Sequence, residues 1–115
     1  MTRWVLSSLV LPVSADEKEF AFEGKAITLN KAREWVKSGE FVSAVGHEST
    51  AKALTELLGV EIKLNRIFAT MEVGDEALCT QFLVRLREGQ VLTKEELEKL
   101  FEEGKIRFVL LRRTK

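Results

Sequence analysis

The chain has 115 residues, 45 % apolar and 31 % charged, with eighteen Lys or Arg balanced by eighteen Asp or Glu. Such a chain makes one globular domain that buries roughly two-thirds of its extended surface, with no need of a disulfide or a metal staple. Zero net charge argues against coating long nucleic acid or a membrane by bulk charge, and the single cysteine, Cys79, excludes an internal disulfide and suits a reducing cytoplasm.

The first twenty residues, MTRWVLSSLVLPVSADEKEF, have an early Arg3, an apolar stretch and a Val-Ser-Ala before an acidic run. That is the outline of a secretory leader. One arginine makes a thin basic region, and Ser7, Ser8 and Pro12 interrupt the apolar run, so the stretch reads as a buried first strand over 3–11. No segment approaches the ~18 apolar residues needed to cross a bilayer, so no membrane partner is expected.

Further strand-like runs occur at 26–29, 41–45, 62–71, 78–85 and 106–112. In the fourth of the six, alternation assigns Ile62, Leu64, Arg66 and Phe68 to one face and Asn65 to the other. Three helices interleave with the strands. The first follows Asn30 as N-cap and stops near Gly39, with Ala32, Trp35 and Val36 on one side. The second begins within VGHESTAKAL, residues 45–54, and runs to Gly59, with Ala51, Leu54, Leu57 and Leu58 at helical spacing. In the third, Thr93 and Glu96 make a capping box, Leu92 and Leu97 sit at staple positions, and Gly104 follows the last turn. Its core face is Leu97, Leu100 and Phe101. The expected architecture is a single α/β domain over 1–115, a mixed central sheet flanked by helices. Weakly structured stretches are expected at 14–24 and at the Gly74-Asp75 turn. Few Asn, Gln, Cys and Met against many Glu, Lys and Arg lean towards a thermophilic source.

One histidine and one cysteine give no recognisable ligand set, so neither a metal nor a cofactor is expected. A nucleophile elbow, a Gly-rich dinucleotide loop and a Walker motif are all missing from the sequence. What remains clusters at helix starts and strand ends. In Gly46-His47-Glu48-Ser49-Thr50 the glycine permits a tight strand-to-helix turn and close ligand approach. Ser49 and Thr50 offer hydroxyls, and the free N–H groups of a helix N-terminus attract a phosphate. An imidazole beside that point can donate a proton to an oxygen leaving phosphorus. The plainer reading is that His47 caps or packs the turn. Arg66 falls on the parity of the apolar face, where a guanidinium needs an anion or a carboxylate. Arg85-Leu86-Arg87-Glu88-Gly89 ends a strand in a charged turn, and arginines bind phosphate in bidentate fashion. For each arginine a surface ion pair is the competing reading.

VGHEST, then Asn65-Arg66, then RLREGQVLTKEELEKLFEEGKIRF closely resembles, from Phe41 to Phe108, the viral and prokaryotic ring nuclease family that includes the type III anti-CRISPR proteins of archaeal viruses. The combination is specific; no single piece is. The resemblance implies a mixed α/β homodimer that binds cyclic tetra-adenylate, the second messenger of type III CRISPR defence, across the dimer interface and linearises it without metal. It implies that His47 is the general acid on the 5′-oxygen leaving group, with the ligand's own 2′-hydroxyl as nucleophile. The implied products are linear di-adenylates ending in 2′,3′-cyclic phosphate. Arg66 and Arg85 match phosphate-contacting arginines, and Glu88 matches an active-site carboxylate. Gly46, Ser49, Thr50 and Gln81 are carried over as ligand-lining. Where the family's first strand ends in an Asn-containing stretch, this chain has Leu6-Ser7-Ser8-Leu9-Val10, so Ser8 stands for the asparagine. Such a protein acts in the cytoplasm, that of the host cell if it is viral.

Two other classes are weighed beside the enzyme. A non-catalytic module would sequester or sense the cyclic oligonucleotide, and the altered first strand motivates it. A DNA-binding protein or scaffold is disfavoured by the neutral charge and by the acidic third helix, so duplex nucleic acid is not an expected partner.

Overall fold

The computed structural model describes residues 1–84 and 92–115. Five strands form one mixed sheet: β1 (Arg3–Leu6), β2 (Phe22–Ile27), β3 (Val42–Ser43), β4 (Glu76–Phe82) and β5 (Ile106–Arg113). Their order across the sheet is β2-β5-β4-β1-β3. β1 lies parallel to both β3 and β4, with Val5 opposite Ser43 and Leu6 opposite Cys79. β5 runs antiparallel to both β4 and β2. The domain is thus single and α/β, as the sequence suggested.

The three helices, α1 (Leu29–Lys37), α2 (Glu48–Leu58) and α3 (Lys94–Glu102), all pack against one face of the sheet. Strand alternation decides which residues meet them. Val5, Leu78, Ile106 and Phe108 point to the helices and share a core with Ala32, Val36, Leu54, Leu57, Leu58 and Leu97. The opposite parity, Leu6, Ala77, Cys79, Val109 and Leu111, is covered by irregular chain carrying Met71 and Ala69. The Met71 N–H donates to the Pro12 carbonyl at 2.8 Å, which joins the two covering segments. "Flanked by helices" therefore holds for one face only.

Cys79 is fully buried in that second layer, and burial pushes its thiol up to about 12 from an ordinary 9.0. Between those two values the folded chain retains a proton that the unfolded chain releases, so stability falls as pH rises through that window. The neutral buried thiol should resist an aromatic disulfide reagent at pH 8 and react fully in guanidinium chloride. Prompt native labelling would contradict this packing.

Cap chemistry accounts for the helix ends. α3 has the expected box: Glu96 N–H donates to Thr93 Oγ1 at 3.2 Å and Thr93 N–H to Glu96 Oε1 at 3.1 Å. α2 stops at Gly59, whose φ of 77° is a left-handed conformation that favours glycine. α1 is capped by Thr28 and not by Asn30, because the Thr28 hydroxyl accepts from Lys31 N–H and Asn30 is already helical. Arg3 holds the far end of α1: it donates to the Trp35 carbonyl and to Ser38 Oγ at 3.0 Å, with its guanidinium 3.9 Å over the Trp35 ring.

The expected buried strand over 3–11 stops at Leu6, with Leu9, Val10 and Leu11 exposed, the one at 41–45 shortens to Val42–Ser43, and two others also differ. β2 starts at Phe22 and not at 26, because pairing with β5 from Phe22–Arg113 to Ile27–Phe108 recruits polar residues that have little strand pattern of their own. The stretch before it is tied down by the Arg113–Glu17 ion pair and by Ala21 N–H donating to the Lys115 carbonyl at 3.2 Å. The largest difference is at 62–71, which forms no strand. It makes a single parallel bridge, Leu64 to Val45, beside the two-residue β3. Ile62 is buried, but Leu64, Arg66 and Phe68 are exposed, Phe68 completely. A short edge strand cannot template a long neighbour, so the alternation there has no sheet face to serve.

Candidate functional site

The carboxyl ends of the parallel strands β1, β3 and β4 lie side by side, the place where open α/β sheets receive ligands. β3 is followed by Ala44 and the buried Val45, then Gly46, and α2 begins immediately after His47. His47 is the N-cap residue, with φ −121° and ψ 130°. Its side chain is exposed and makes no cap hydrogen bond, so it does not serve the turn as a cap. The first intrahelical bond runs from Ala51 N–H to the His47 carbonyl at 3.0 Å. The N–H groups of Glu48, Ser49 and Thr50 precede it and have no intrahelical acceptor. Partial positive charge from the helix terminus converges there.

Arg66 is not in an apolar face. It is exposed and crosses Gly46, with its Nε donating to the Gly46 carbonyl at 2.8 Å. A Cβ added at Gly46 would sit 3.3 Å from Arg66 Cγ, so the glycine admits the arginine side chain. One guanidinium edge is spent on this bond, and the other is directed to no acceptor among the described residues. Below it, the Asn65 backbone N–H donates to the Val45 carbonyl at 2.8 Å, and Asn65 Nδ2 donates to the Ser43 carbonyl at 2.8 Å. The Ser43 hydroxyl donates to the Lys63 carbonyl at 2.6 Å and accepts from Val45 N–H at 3.3 Å.

The structure therefore brings Gly46, His47, Ser49, Thr50 and Arg66 together at one corner. Ser8 is exposed beyond the end of β1, in a cavity of about 470 Å³ that it lines with Ala44, Ile67 and Phe68. Gln81 is two residues past the Leu6–Cys79 pair that ends the β1–β4 ladder, and its Oε1 accepts from Arg107 Nε at 2.9 Å. Ser49 borders a different and larger groove, about 730 Å³, running along α2 past Lys52, Thr55 and Lys63. His47 lines neither concavity. Arg85 and Glu88 lie outside the described residues. Among the described residues, no group of three or more His, Cys, Asp or Glu side chains could hold a metal ion, and no helix is long and apolar enough to cross a membrane.

Two features escaped the sequence reading. Ser43 carries no motif signal, since a serine at a strand end is ordinary. Phe68 reads as part of an apolar strand face, and with Ile67 it instead forms an exposed apolar patch with Val10 and Leu11 beside Ser8.

These features define a small α/β protein of one mixed sheet, with a helix-start histidine and an arginine at the carboxyl edge of its parallel strands. The chain belongs to the STIV B116-like family, whose model matches residues 3–109. It is similar to uncharacterized protein 26 of Sulfolobus islandicus filamentous virus, at 42 % identity over 84 % of this chain and 82 % of that protein. It is also similar to protein ORF117 of Acidianus two-tailed virus, at 38 % identity over 83 % and 82 %. A bacterial relative, YddF of Bacillus subtilis, is 36 % identical over 80 % and 83 %. Among solved structures, B116 of Sulfolobus turreted icosahedral virus matches with a TM-score of 0.83, covering 97 % of this chain and 99 % of that one at 23 % identity. That likeness bears on the fold. Relatives from viruses of thermophilic archaea accord with the charge-rich, amide-poor composition.

Proposed function

We propose that this protein is a metal-independent ring nuclease that opens cyclic tetra-adenylate and so silences the effectors that this messenger activates. The observation that carries the reading is the position of His47. The chain's one histidine is exposed at the start of α2, serves no cap, and stands next to the residue that Arg66 crosses. In the reaction the 2′-oxygen bonds to the adjacent phosphorus and its proton passes to water. The bond from phosphorus to the 5′-oxygen breaks, and His47 protonates that oxygen. The unspent edge of Arg66 and the N–H groups of Glu48, Ser49 and Thr50 stabilise charge on the phosphate. Arg85 as a further phosphate ligand and Glu88 as an active-site carboxylate come from the family resemblance, as do Gln81 and Ser8 as ring-lining groups. Two cuts yield linear di-adenylate ending in 2′,3′-cyclic phosphate. The work is done in the cytoplasm where the messenger is made.

The active form in this reading is a homodimer, since a two-fold pair offers two His47 side chains to opposite phosphates of one ring. The patch of Val10, Leu11, Ile67 and Phe68 supports it, being contiguous with Ser8 and apolar where solvent alone would favour polar residues. Phe68→Asp should convert a dimer to a monomer in sedimentation, losing about 1.5–3 kcal/mol of apolar burial per copy and adding a carboxylate to desolvate. A dimer unchanged by this substitution would place the interface elsewhere.

A second reading, a non-catalytic binder of the same ring, is favoured by Ser8 where the resembled family has asparagine. Incubation with cyclic tetra-adenylate in excess EDTA separates the two. Linear di-adenylate establishes the nuclease, and intact ring retained by the protein establishes the binder. Intact ring that is not retained overturns both.

A further inference from the structure

We propose that Ser43 and Asn65 are positioning residues, which fix the Val45–His47 turn and through it aim the His47 imidazole. The inference rests on the reading of His47 as the acid. α2 ties the turn only at its far end, through Ala51 N–H to the His47 carbonyl, and cannot hold it through the His47 side chain, which makes no cap bond. β3 cannot hold it either, since its regular pairing with β1 ends at Ser43, leaving beyond it only the donation of Ala44 N–H to the Val5 carbonyl. The order comes instead from segment 63–66, which clasps the turn at Ser43, Val45 and Gly46. Ser43 Oγ reaches the Lys63 carbonyl and Val45 N–H; Asn65 reaches the Ser43 carbonyl through its side chain and the Val45 carbonyl through its backbone; Arg66 reaches the Gly46 carbonyl.

The contacts advance from Ser43 through Val45 to Gly46, the neighbour of His47, and Ser43 is nearly fully buried while His47 is not. The side-chain bonds of Ser43 and Asn65 are buried or partly buried, where a hydrogen bond is stronger than in water, so they fix the backbone from which the exposed histidine extends. The Asn65 carboxamide is the only side-chain donor to the Ser43 carbonyl among the described residues. A donor is needed there, since an acceptor-only carboxylate of the same shape would repel that carbonyl.

The test compares wild type with Asn65→Ala, Asn65→Asp, Ser43→Ala and Ser43→Thr, reading kcat and KM for ring opening and backbone ¹⁵N–¹H heteronuclear NOE values. Loss of aim without loss of the ring-binding groups should lower kcat by about 10–100-fold, with KM within roughly twofold. Ser43→Thr, which keeps the hydroxyl, should restore most of the rate. NOE values should fall at Gly46 and His47 and stay at wild-type level in β4 and β5. Unchanged kcat with unchanged NOE values would overturn the proposal. So would equal losses throughout the chain, since these report general destabilisation. If wild type itself opens no ring, the catalytic reading has failed, and the proposal stands or falls on whether Asn65→Ala lowers the NOE locally at Gly46 and His47.

Discussion

His47→Ala should slow ring opening by about 10²–10⁴-fold, the usual contribution of a positioned general acid, while leaving retention of the ring largely intact. The separation of rate from binding follows from the geometry. In the proposed reading contacts to phosphate fall to Arg66 and to the helix N–H groups, which do not involve the imidazole. Stability should hardly change, because the side chain is exposed and accepts no bond from the helix it precedes, so the usual penalty of removing an N-cap acceptor does not apply. Melting temperature, ring retention and product formation measured on the same preparation form the check. Cleavage at the wild-type rate would remove His47 from the mechanism, and a collapse of ring retention would make it a binding residue.

Phe108→Ala should destabilise the domain by about 3–5 kcal/mol. Phe108 is fully buried in the helix-side core, its ring 5.8 Å from that of Phe101 on α3, and its strand is hydrogen-bonded on both sides. β5 cannot move to refill the space without breaking those bonds. A domain of this size has about 5–15 kcal/mol in total, so the variant approaches the threshold of folding. The loss should appear as a fall in melting temperature on the order of 10–20 °C. Phe68→Ala provides the contrast, since that ring is wholly exposed in the protomer and its removal should leave protomer stability unchanged. Equal losses at both positions would mean that the assignment of core and surface is wrong.

The contrast between these two phenylalanines also marks what could be read from the chain. Phe108 lies in IRFVLLRR, where apolar runs meet a real strand, and its burial follows from pattern. Phe68 lies in a run that alternates as well as any strand, yet its neighbour β3 is two residues long and cannot extend the ladder. Arg66 was misassigned for the same reason: parity buried it on paper, and the lack of a ladder leaves it exposed across Gly46. The start of β2 is invisible because Glu23-Gly24-Lys25 carries no strand signal and is recruited by β5. The capping box of α3 and the glycine stop of α2 were legible because both are local, each satisfied within a few residues of sequence.

By itself the sequence determined the α/β class, the three helices, the glycine-histidine turn at the head of α2 and the family motif, all set by short-range chemistry or by periodicity over a single element. Tertiary structure decided that the helices share one face and that the parallel strands end together. It also decided that residues 63–66 clasp the histidine's turn and that an apolar patch stays open beside Ser8. Those features depend on which segments meet across twenty or more residues. Such meetings are chosen by competition for hydrogen-bond partners and buried area throughout the fold, which no local pattern records.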